Sequence, residues 1–170
     1  MRIILFRHAP AEARDAQRWP DDLVRPLTSR GEARGRRAAR GLLRLEPGIT
    51  RVFTSPAQRT LATAELLADE LEGVFPAETL ASLAPGGSWR ETLNALEHEP
   101  KDACVVLVGH EPELAKFAGV MVFGAPMKLP LKKAGACCIE AEVVTGGAGH
   151  LCWFLPPGTL RALAGKRSKV

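Results

Sequence analysis

At 170 residues the chain is long enough to bury a full hydrophobic core and is most simply one domain over residues 1–170. A hydrophobic fraction of 46% argues against disorder. No apolar run approaches the roughly 18–20 residues that a membrane-spanning helix needs, and the formal net charge of +4 permits acidic partners without requiring them.

The first residues predict a strand at once. Ile3-Ile4-Leu5 is a buried apolar run, and the polar segment 9–28 that follows contains three prolines and predicts a loop. Ser29 and Glu32 have capping-box spacing and predict the start of a helix that runs to about Leu45. Met1 and its neighbours lack the small-residue cleavage site of a secretory signal, so we expect a soluble cytoplasmic protein.

Further along, a short strand at 51–54 precedes a helix over about 57–72, whose apolar residues recur at helical spacing on one face. Ser88 and Glu91 form a second capping box, which predicts a helix to about Glu99.

The last third of the chain continues the alternation. Residues 103–108 form a fully apolar strand, and Pro112 stands near the first turn of the next helix. Residues 135–144 and 149–155 predict a hairpin, and a short helix is expected around 157–164. Alternating strands and helices predict an α/β sandwich.

Four cysteines, at positions 104, 137, 138 and 152, show no zinc-like pair spacing. All four fall inside predicted strands, where cysteine behaves as a small hydrophobe. We therefore expect structural thiols in a reducing compartment.

Basic side chains follow three of the predicted strands. Arg7-His8 ends the first, Ser55-Pro56-Ala57-Gln58-Arg59-Thr60 follows the second, and Gly109-His110-Glu111-Pro112 follows the apolar run at 103–108. Open α/β sheets bind ligands at the carboxyl ends of their strands. Two arginines and two histidines that converge there predict a phosphate site.

Each residue type has a physical task in phosphoryl transfer. Arginine matches phosphate oxygens bidentately and keeps its charge. One histidine can form a covalent phospho-intermediate, and a second can stabilise charge on the transferring oxygens. Taken singly the motifs are weak, since a histidine after a strand is often a surface residue and Ser55-Pro56 is also an ordinary helix start. The three motifs together indicate phosphoryl transfer.

The positive charge has two concentrations. One is a run of arginines at 30, 34, 36, 37, 40 and 44, and the other is the C-terminal group Lys166, Arg167 and Lys169. These sequences are typical of a solvated helix face and a flexible basic tail over 165–170, or alternatively of surfaces that attract acidic partners such as phosphoproteins. No aromatic residues are interleaved near the arginines, so no nucleic-acid partner is expected.

Together, Arg7-His8, Ser55-Pro56-x-x-Arg59-Thr60 and Gly109-His110 resemble the signature of the histidine phosphatase superfamily. Within it the chain is similar to the short SixA-type phosphohistidine phosphatases, whose loop pattern matches Arg25-Pro26-Leu27-Thr28-x-x-Gly31. The resemblance covers roughly residues 2–156. It implies a three-layer α/β/α sandwich with a mostly parallel central sheet, of the phosphoglycerate mutase-like kind.

The resemblance also implies roles for individual residues. His8 would be the nucleophile, with Arg7, Arg59 and His110 completing the phosphate pocket and Arg25 binding substrate. The implied activity is metal-independent and cofactor-free hydrolysis of phosphohistidine in a phosphorylated protein domain, with phosphate or another oxyanion as ligand. No membrane partner is expected.

Two departures from the family pattern carry expectations of their own. Ala9 stands where the family has glycine, so its backbone angles are either ordinary or strained. The interval between Arg59 and His110 is short, which predicts a shallow, open site suited to a phosphorylated protein side chain.

Three carboxylates could supply a proton to the leaving group. Glu111 follows His110 directly but could be a first-turn carboxylate favoured by the helix dipole, and Glu91 is part of a capping box. Glu12 lies in the loop after His8. A phosphoramidate bond is labile and needs less acid assistance than an alkyl ester.

Two other functions remain open at this point. One is a general small-molecule phosphomonoesterase of the same superfamily, and the other is a phosphate-binding module that has lost catalysis. Ala9 favours the binding module, whereas the intact set of Arg7, His8, Arg59 and His110 opposes it.

Overall fold

Four parallel strands and an antiparallel hairpin form one central sheet. The computed structural model describes residues 1–71 and 76–165. Its strands are β1 Arg2–Arg7, β2 Arg51–Thr54, β3 Glu78–Thr79, β4 Cys104–Gly109, β5 Ala136–Glu140 and β6 His150–Leu155. Its helices are α1 Ser29–Leu45, α2 Gln58–Glu70, α3 Trp89–Leu96, α4 Glu113–Phe123 and α5 Pro157–Leu163, with short 3₁₀ turns at Asp22–Val24 and Ala81–Leu83.

The strand order is β3-β2-β4-β1-β5-β6. The pairs among β3, β2, β4 and β1 are parallel, whereas β5 and β6 are antiparallel to their neighbours. In the pairing of β1 with β4, Arg7 lies opposite Gly109. The next residue of each strand is a histidine, so this register brings His8 and His110 to the same edge of the sheet.

Alternate side chains of β1 point into two different cores, as expected for a strand covered on both faces. Ile3 and Leu5 pack in the core formed with α3 and α4, whereas Ile4 and Phe6 pack in the core formed with α1, α2 and α5. The three-layer α/β/α fold with a mostly parallel sheet is thereby confirmed. In the described part of the chain, no helix is both long enough and apolar enough to cross a membrane.

The start of α1 differs by one residue from the predicted capping box. Thr28, not Ser29, is the N-cap, and its hydroxyl oxygen accepts a hydrogen bond from the Gly31 N–H. The Thr28 N–H is bonded to the carbonyl oxygen of Pro10, which keeps Thr28 extended and outside the helix. The spacing of Ser29 and Glu32 was therefore a misleading signal.

Other boundaries shift only slightly. Ser88 caps α3 as predicted, but this helix ends at Leu96 rather than near Glu99. The predicted hairpin at the end of the chain is confirmed as β5 and β6. The two-residue strand β3 was not predicted, since its exposed residues carry no apolar pattern. The basic tail is expected over 165–170, and residues 166–170 of it lie outside the described residues.

The cysteines do not all behave as predicted. Cys104, Cys137 and Cys138 are buried in strands, and burial raises the pKa of the Cys137 thiol to about 12. Cys152 is exposed on the edge strand β6, so the prediction of a buried structural thiol is wrong there.

Candidate active site

The two histidines meet at the carboxyl ends of β1 and β4. Their ring centroids lie 5.2 Å apart, and the rings are tilted by 53°. His8 is 5% exposed and His110 is 3% exposed. The His8 N–H donates to the Gly109 carbonyl oxygen at 3.1 Å, which extends the strand pairing by one residue and fixes the histidines relative to each other.

A single hydrogen bond orients the His8 ring. Its Nδ1 lies 2.7 Å from the carbonyl oxygen of Ala9, and only a protonated Nδ1 can donate to that oxygen. Burial, together with the nearby His110 and Arg59, lowers the pKa of His8 to about 3. The imidazole is therefore neutral, with its proton on Nδ1 and a free electron pair on Nε2, which is the nucleophilic form.

Ala9 is accommodated without backbone strain. Ala134 is the one non-glycine residue with a positive φ in the described ranges, so Ala9 has ordinary angles. The Ala9 N–H donates to Thr63 Oγ1 at 3.0 Å, and the same hydroxyl donates to the Arg59 carbonyl oxygen at 2.7 Å. The loop after the nucleophile is thus tied to α2, and strain at Ala9 gives no support to an inactive binding module.

Ser55 contacts His110 directly. Its Oγ lies 2.8 Å from His110 Nε2, whereas the N-cap of α2 is Ala57, which makes no side-chain cap. The interpretation of Ser55-Pro56 as an ordinary helix start is therefore wrong. Burial and the charge of Arg59 lower the pKa of His110 to about 3, so this second imidazole is also neutral.

Arg7 and Arg59 bring two guanidinium groups to the histidines. Arg7 Nη1 donates to the Leu131 carbonyl oxygen at 2.7 Å. Arg59, only 1% exposed, donates from Nη1 to the Asp22 carbonyl oxygen at 2.6 Å and from Nη2 to the Asp22 carboxylate at 3.0 Å. The Nε atoms of both arginines are buried and have no partner among the described residues. Buried donors of this kind are what a phosphate oxygen would satisfy.

Arg25 reaches the same region from the loop before α1. Its side chain is 6% exposed, and its Nε donates to Asp22 Oδ1 at 2.8 Å while Nη1 donates to the Glu12 carbonyl oxygen at 2.7 Å. Arg25 thus contacts Asp22, which in turn contacts Arg59. Its direct contact with substrate stays a prediction.

Sequence reasoning missed two charged residues at the site. Asp22 stands three positions before Arg25, and that spacing within a short turn was the available signal. Lys133 precedes β5, and burial together with the charges of Arg7 and Arg25 lowers its pKa. The adjacent Ala134 N–H lies 3.1 Å from both the Arg7 and the His8 carbonyl oxygens, which ties this segment to the nucleophile. Nothing in the local sequence indicated that contact.

The three candidate acids occupy different places. Glu111 Oε1 accepts a hydrogen bond from the Leu131 N–H at 2.8 Å, and burial raises the pKa of this carboxyl. Glu12 forms an ion pair with Arg18 at 3.6 Å, and Glu91 is exposed at the start of α3. Of the three, Glu111 is the one whose neighbours include Arg7.

The site lies deeper than the shallow, open site that we predicted. Both histidines and Arg59 are almost completely out of contact with solvent. The loop that carries Asp22 and Arg25 packs against Arg59 and contributes to the burial of its guanidinium. No group of three or more His, Cys, Asp or Glu side chains able to hold a metal ion occurs within residues 1–71 and 76–165.

Comparisons with known proteins show which sequences and folds this chain resembles. Residues 3–103 match the profile of the histidine phosphatase superfamily, branch 1. The phosphohistidine phosphatase SixA of Escherichia coli strain K12 is 29% identical over 164 residues, which cover 95% of this chain and 97% of that protein. An uncharacterised protein of Picosynechococcus is 39% identical over 138 residues, which cover 79% and 82% of the two chains.

Solved structures show the same likeness. The structure of the protein histidine phosphatase SixA complexed with tungstate superposes with a TM-score of 0.82 at 26% identity, covering 94% of this chain and 99% of that one. A mycobacterial glucosyl-3-phosphoglycerate phosphatase with inorganic phosphate superposes with a TM-score of 0.68 at 17% identity, covering 92% and 98%, and shares the fold alone.

Proposed function

Because the chain belongs to the histidine phosphatase superfamily, we propose that it hydrolyses phosphohistidine in a protein substrate through a covalent phosphohistidine intermediate. The observation that carries this proposal is the state of His8. Its ring is neutral, and its Nδ1–H is bonded to the Ala9 carbonyl oxygen. Within the described ranges its Nε2 has no partner, and neither do the Nε atoms of the two arginines.

The first step is attack of His8 Nε2 on phosphorus. The new bond forms as the bond between phosphorus and the substrate imidazole breaks, and a solvent proton on the other nitrogen of that imidazole lets it leave as a neutral ring. Arg7 and Arg59 bind the phosphoryl oxygens and stabilise the charge that they carry in the transition state. His110 lies beside His8 and can hydrogen-bond the same oxygens.

The second step regenerates the enzyme. Water attacks phosphorus as the bond to His8 Nε2 breaks and the electron pair of that bond returns to Nε2. One proton of the water stays on the new hydroxyl group and the other passes to a phosphoryl oxygen, so inorganic phosphate leaves with the arginines as its last partners. The hydrogen bond from Nδ1 to Ala9 keeps the ring in position through both steps, so little reorganisation is needed between them.

Two observations support a protein phosphohistidine as substrate. SixA of Escherichia coli, a phosphohistidine phosphatase, is similar along 95% of this chain. Glu111, the acid candidate near Arg7, is engaged with the Leu131 N–H, which suits a reaction whose leaving group needs little acid assistance.

A small-molecule phosphomonoesterase is the second candidate. The depth of the site favours it, since His8 and His110 are only 5% and 3% exposed. The raised pKa of Glu111 also favours it, because burial makes this carboxyl hold its proton more readily, which suits the acid that an ester requires.

Phosphate release separates the two candidates. The substrates are a protein carrying phosphohistidine, p-nitrophenyl phosphate and a set of sugar phosphates, with His8→Ala as the inactive control. We expect the phosphohistidine protein to have by far the highest kcat/KM. Comparable or faster turnover of sugar phosphates would contradict the proposal and favour the esterase.

Metal independence and a cytoplasmic location remain part of the proposal. Addition of EDTA to the same assay should leave the rate unchanged. A loss of activity that Mg²⁺ restores would contradict metal independence.

A further inference from the structure

Asp22 is the carboxylate that joins the two arginines of the site. Its Oδ1 accepts from Arg25 Nε at 2.8 Å, and its Oδ2 accepts from Arg59 Nη2 at 3.0 Å. Its backbone carbonyl oxygen accepts from Arg59 Nη1 at 2.6 Å. One residue thus occupies both terminal nitrogens of Arg59, through its side chain and its main chain.

These contacts leave Arg59 with its Nε–H free. The side chain is 2% exposed, and Nε has no partner among the described residues. A guanidinium is planar, so fixing two of its nitrogens also fixes the direction of the third. The remaining edge is then the one that an incoming oxyanion can use.

Arg25 in turn fixes Asp22. Its guanidinium contacts both carboxylate oxygens, Nη2 lying 3.4 Å from Oδ2, and its Nη1 is anchored on the Glu12 carbonyl oxygen. The Arg25 hydrogen bond lowers the pKa of Asp22, so the carboxylate stays charged near neutral pH. More distant is Arg14, whose Nε lies 3.7 Å from Oδ1 and whose side chain is 79% exposed.

We propose that Asp22 is a positioning residue, which holds Arg59 so that its Nε–H is directed at the phosphoryl group. This inference deepens the proposed function, because it concerns the same site. The alternative is that the Asp22 carboxylate competes with the substrate phosphoryl group for Arg59. In that case Asp22 would have to be displaced from Arg59 before substrate binds. The unpartnered Nε atoms of Arg7 and Arg59 favour positioning, because donors remain available while Asp22 is in place.

The test is a double-mutant cycle on tungstate binding, measured by calorimetry with Asp22→Asn, Arg59→Ala and the double variant. Arg59→Ala should weaken binding about 10–150-fold, as expected for loss of one charge-assisted hydrogen-bonding group. Asp22→Asn should weaken it roughly tenfold, whereas the double variant should bind like Arg59→Ala alone, because a positioning residue acts through its partner.

Asp21→Asn is the matched control. It removes the same charge one residue away, and its amide oxygen can still accept the hydrogen bond from the Leu23 N–H that Asp21 accepts now. We expect wild-type binding. Asp22→Glu keeps the charge but displaces the carboxylate, so it should also weaken binding, which separates position from charge.

Three results would overturn the proposal. The first is tighter tungstate binding by Asp22→Asn, which would show that Asp22 competes with the anion. The second is additive loss of affinity in the double variant. The third is wild-type affinity in both Asp22→Asn and Asp22→Glu. A variant that only unfolds would lower the fraction of binding sites without changing the dissociation constant of the rest. Tungstate binding does not depend on the natural substrate, so a failure of the phosphohistidine proposal leaves this test intact.

Discussion

His8 and His110 share one buried environment but differ in their hydrogen bonds. His8 uses Nδ1 to bind a backbone carbonyl oxygen, whereas His110 uses Nε2 to contact the Ser55 hydroxyl. Only His8 therefore has its Nε2 free. This difference supports the proposal that His8 is the nucleophile and that His110 hydrogen-bonds the transferring group.

The first prediction at this scale compares two substitutions. His8→Ala should abolish turnover, because it removes the imidazole whose Nε2 we propose as the nucleophile, and His110 contacts the Ser55 hydroxyl through its own Nε2. Arg59→Ala should retain activity reduced about 10–150-fold, corresponding to roughly 1.5–3 kcal/mol of lost charge-assisted hydrogen bonding. The measurement is kcat/KM by phosphate release, with exposed Arg37→Ala as a control that we expect to behave as wild type. Equal losses from His8→Ala and Arg59→Ala would count against a covalent intermediate.

The second prediction concerns Glu111. Glu111→Gln preserves the shape of the side chain and an oxygen for the Leu131 N–H but removes the carboxyl group that an acid catalyst needs. We expect most of the phosphohistidine rate to remain, because the phosphorus–nitrogen bond is labile. A general acid would instead be worth about 10²–10⁴-fold on an alkyl phosphate ester. Rapid sugar-phosphate hydrolysis by the wild type that disappears in Glu111→Gln would show that Glu111 is that acid.

Helix α1 packs closely against the nucleophile loop. A Cβ built on Gly35 would lie 2.8 Å from the Ala9 methyl carbon and 3.1 Å from Leu66 Cδ1. Alanine at position 9 is thus matched by glycine at position 35. The methyl group of Ala9 is accommodated because the facing residue on α1 is a glycine.

This match gives the third prediction. Gly35→Ala should destabilise the fold, because overpacking of about 1–3 kcal/mol exceeds the gain of up to about 1 kcal/mol in helix propensity. In an Ala9→Gly background the same change should cost less or become stabilising. The measurement is the free energy of unfolding in urea for all four proteins. Identical effects of Gly35→Ala in both backgrounds would show that the two residues are not coupled.

How far the elements follow from sequence depends on the kind of signal. Apolar runs such as Val105-Val106-Leu107 predict strands well, because a strand that is buried on both faces needs apolar side chains at every position. The cap of α1 was misplaced because Thr28 is fixed by a carbonyl oxygen 18 residues earlier in the chain, that of Pro10, and no local pattern contains this contact. The positions of Asp22 and Lys133 in the site were missed for the same reason, because the placement of a loop depends on contacts with residues distant in sequence.

At the scale of the whole molecule, the family motifs predicted which strand tips form the site but not its depth. His8, Arg59 and His110 came from motifs, and the parallel pairing of β1, β4 and β2 brings them together. The loop that covers them contains polar residues without periodicity, so its packing could not be derived. The predicted single domain stays a prediction.

The fourth prediction concerns stability and pH. His8 and His110 have a pKa of about 3 in the folded protein because of burial, against 6.5 when exposed. Between these pKa values the unfolded chain binds more protons than the folded chain. The contribution of the two neutral histidines to the free energy of unfolding is therefore fully present above pH 6.5 and is lost as the pH drops towards 3. The fall should approach about 1.4 kcal/mol per pH unit for each histidine.

Urea unfolding at pH 7, 6 and 5 in a phosphate-free buffer measures this dependence. The double variant His8→Gln/His110→Gln is the control and should show a flatter profile over the same range. A wild-type stability that does not change between pH 7 and 5 would contradict the neutral state of the two imidazoles.

The β1–β4 register has a consequence for how the protein acquires activity. His8 and His110 are about 100 residues apart along the chain, and closing so long a loop costs entropy that helix formation alone does not repay. A partly folded chain with all its helices formed but without the pairing of β1 and β4 would still lack the phosphate-binding site. During refolding, turnover therefore returns only once these two strands have met, and the enzyme's own activity reports completion of its central sheet.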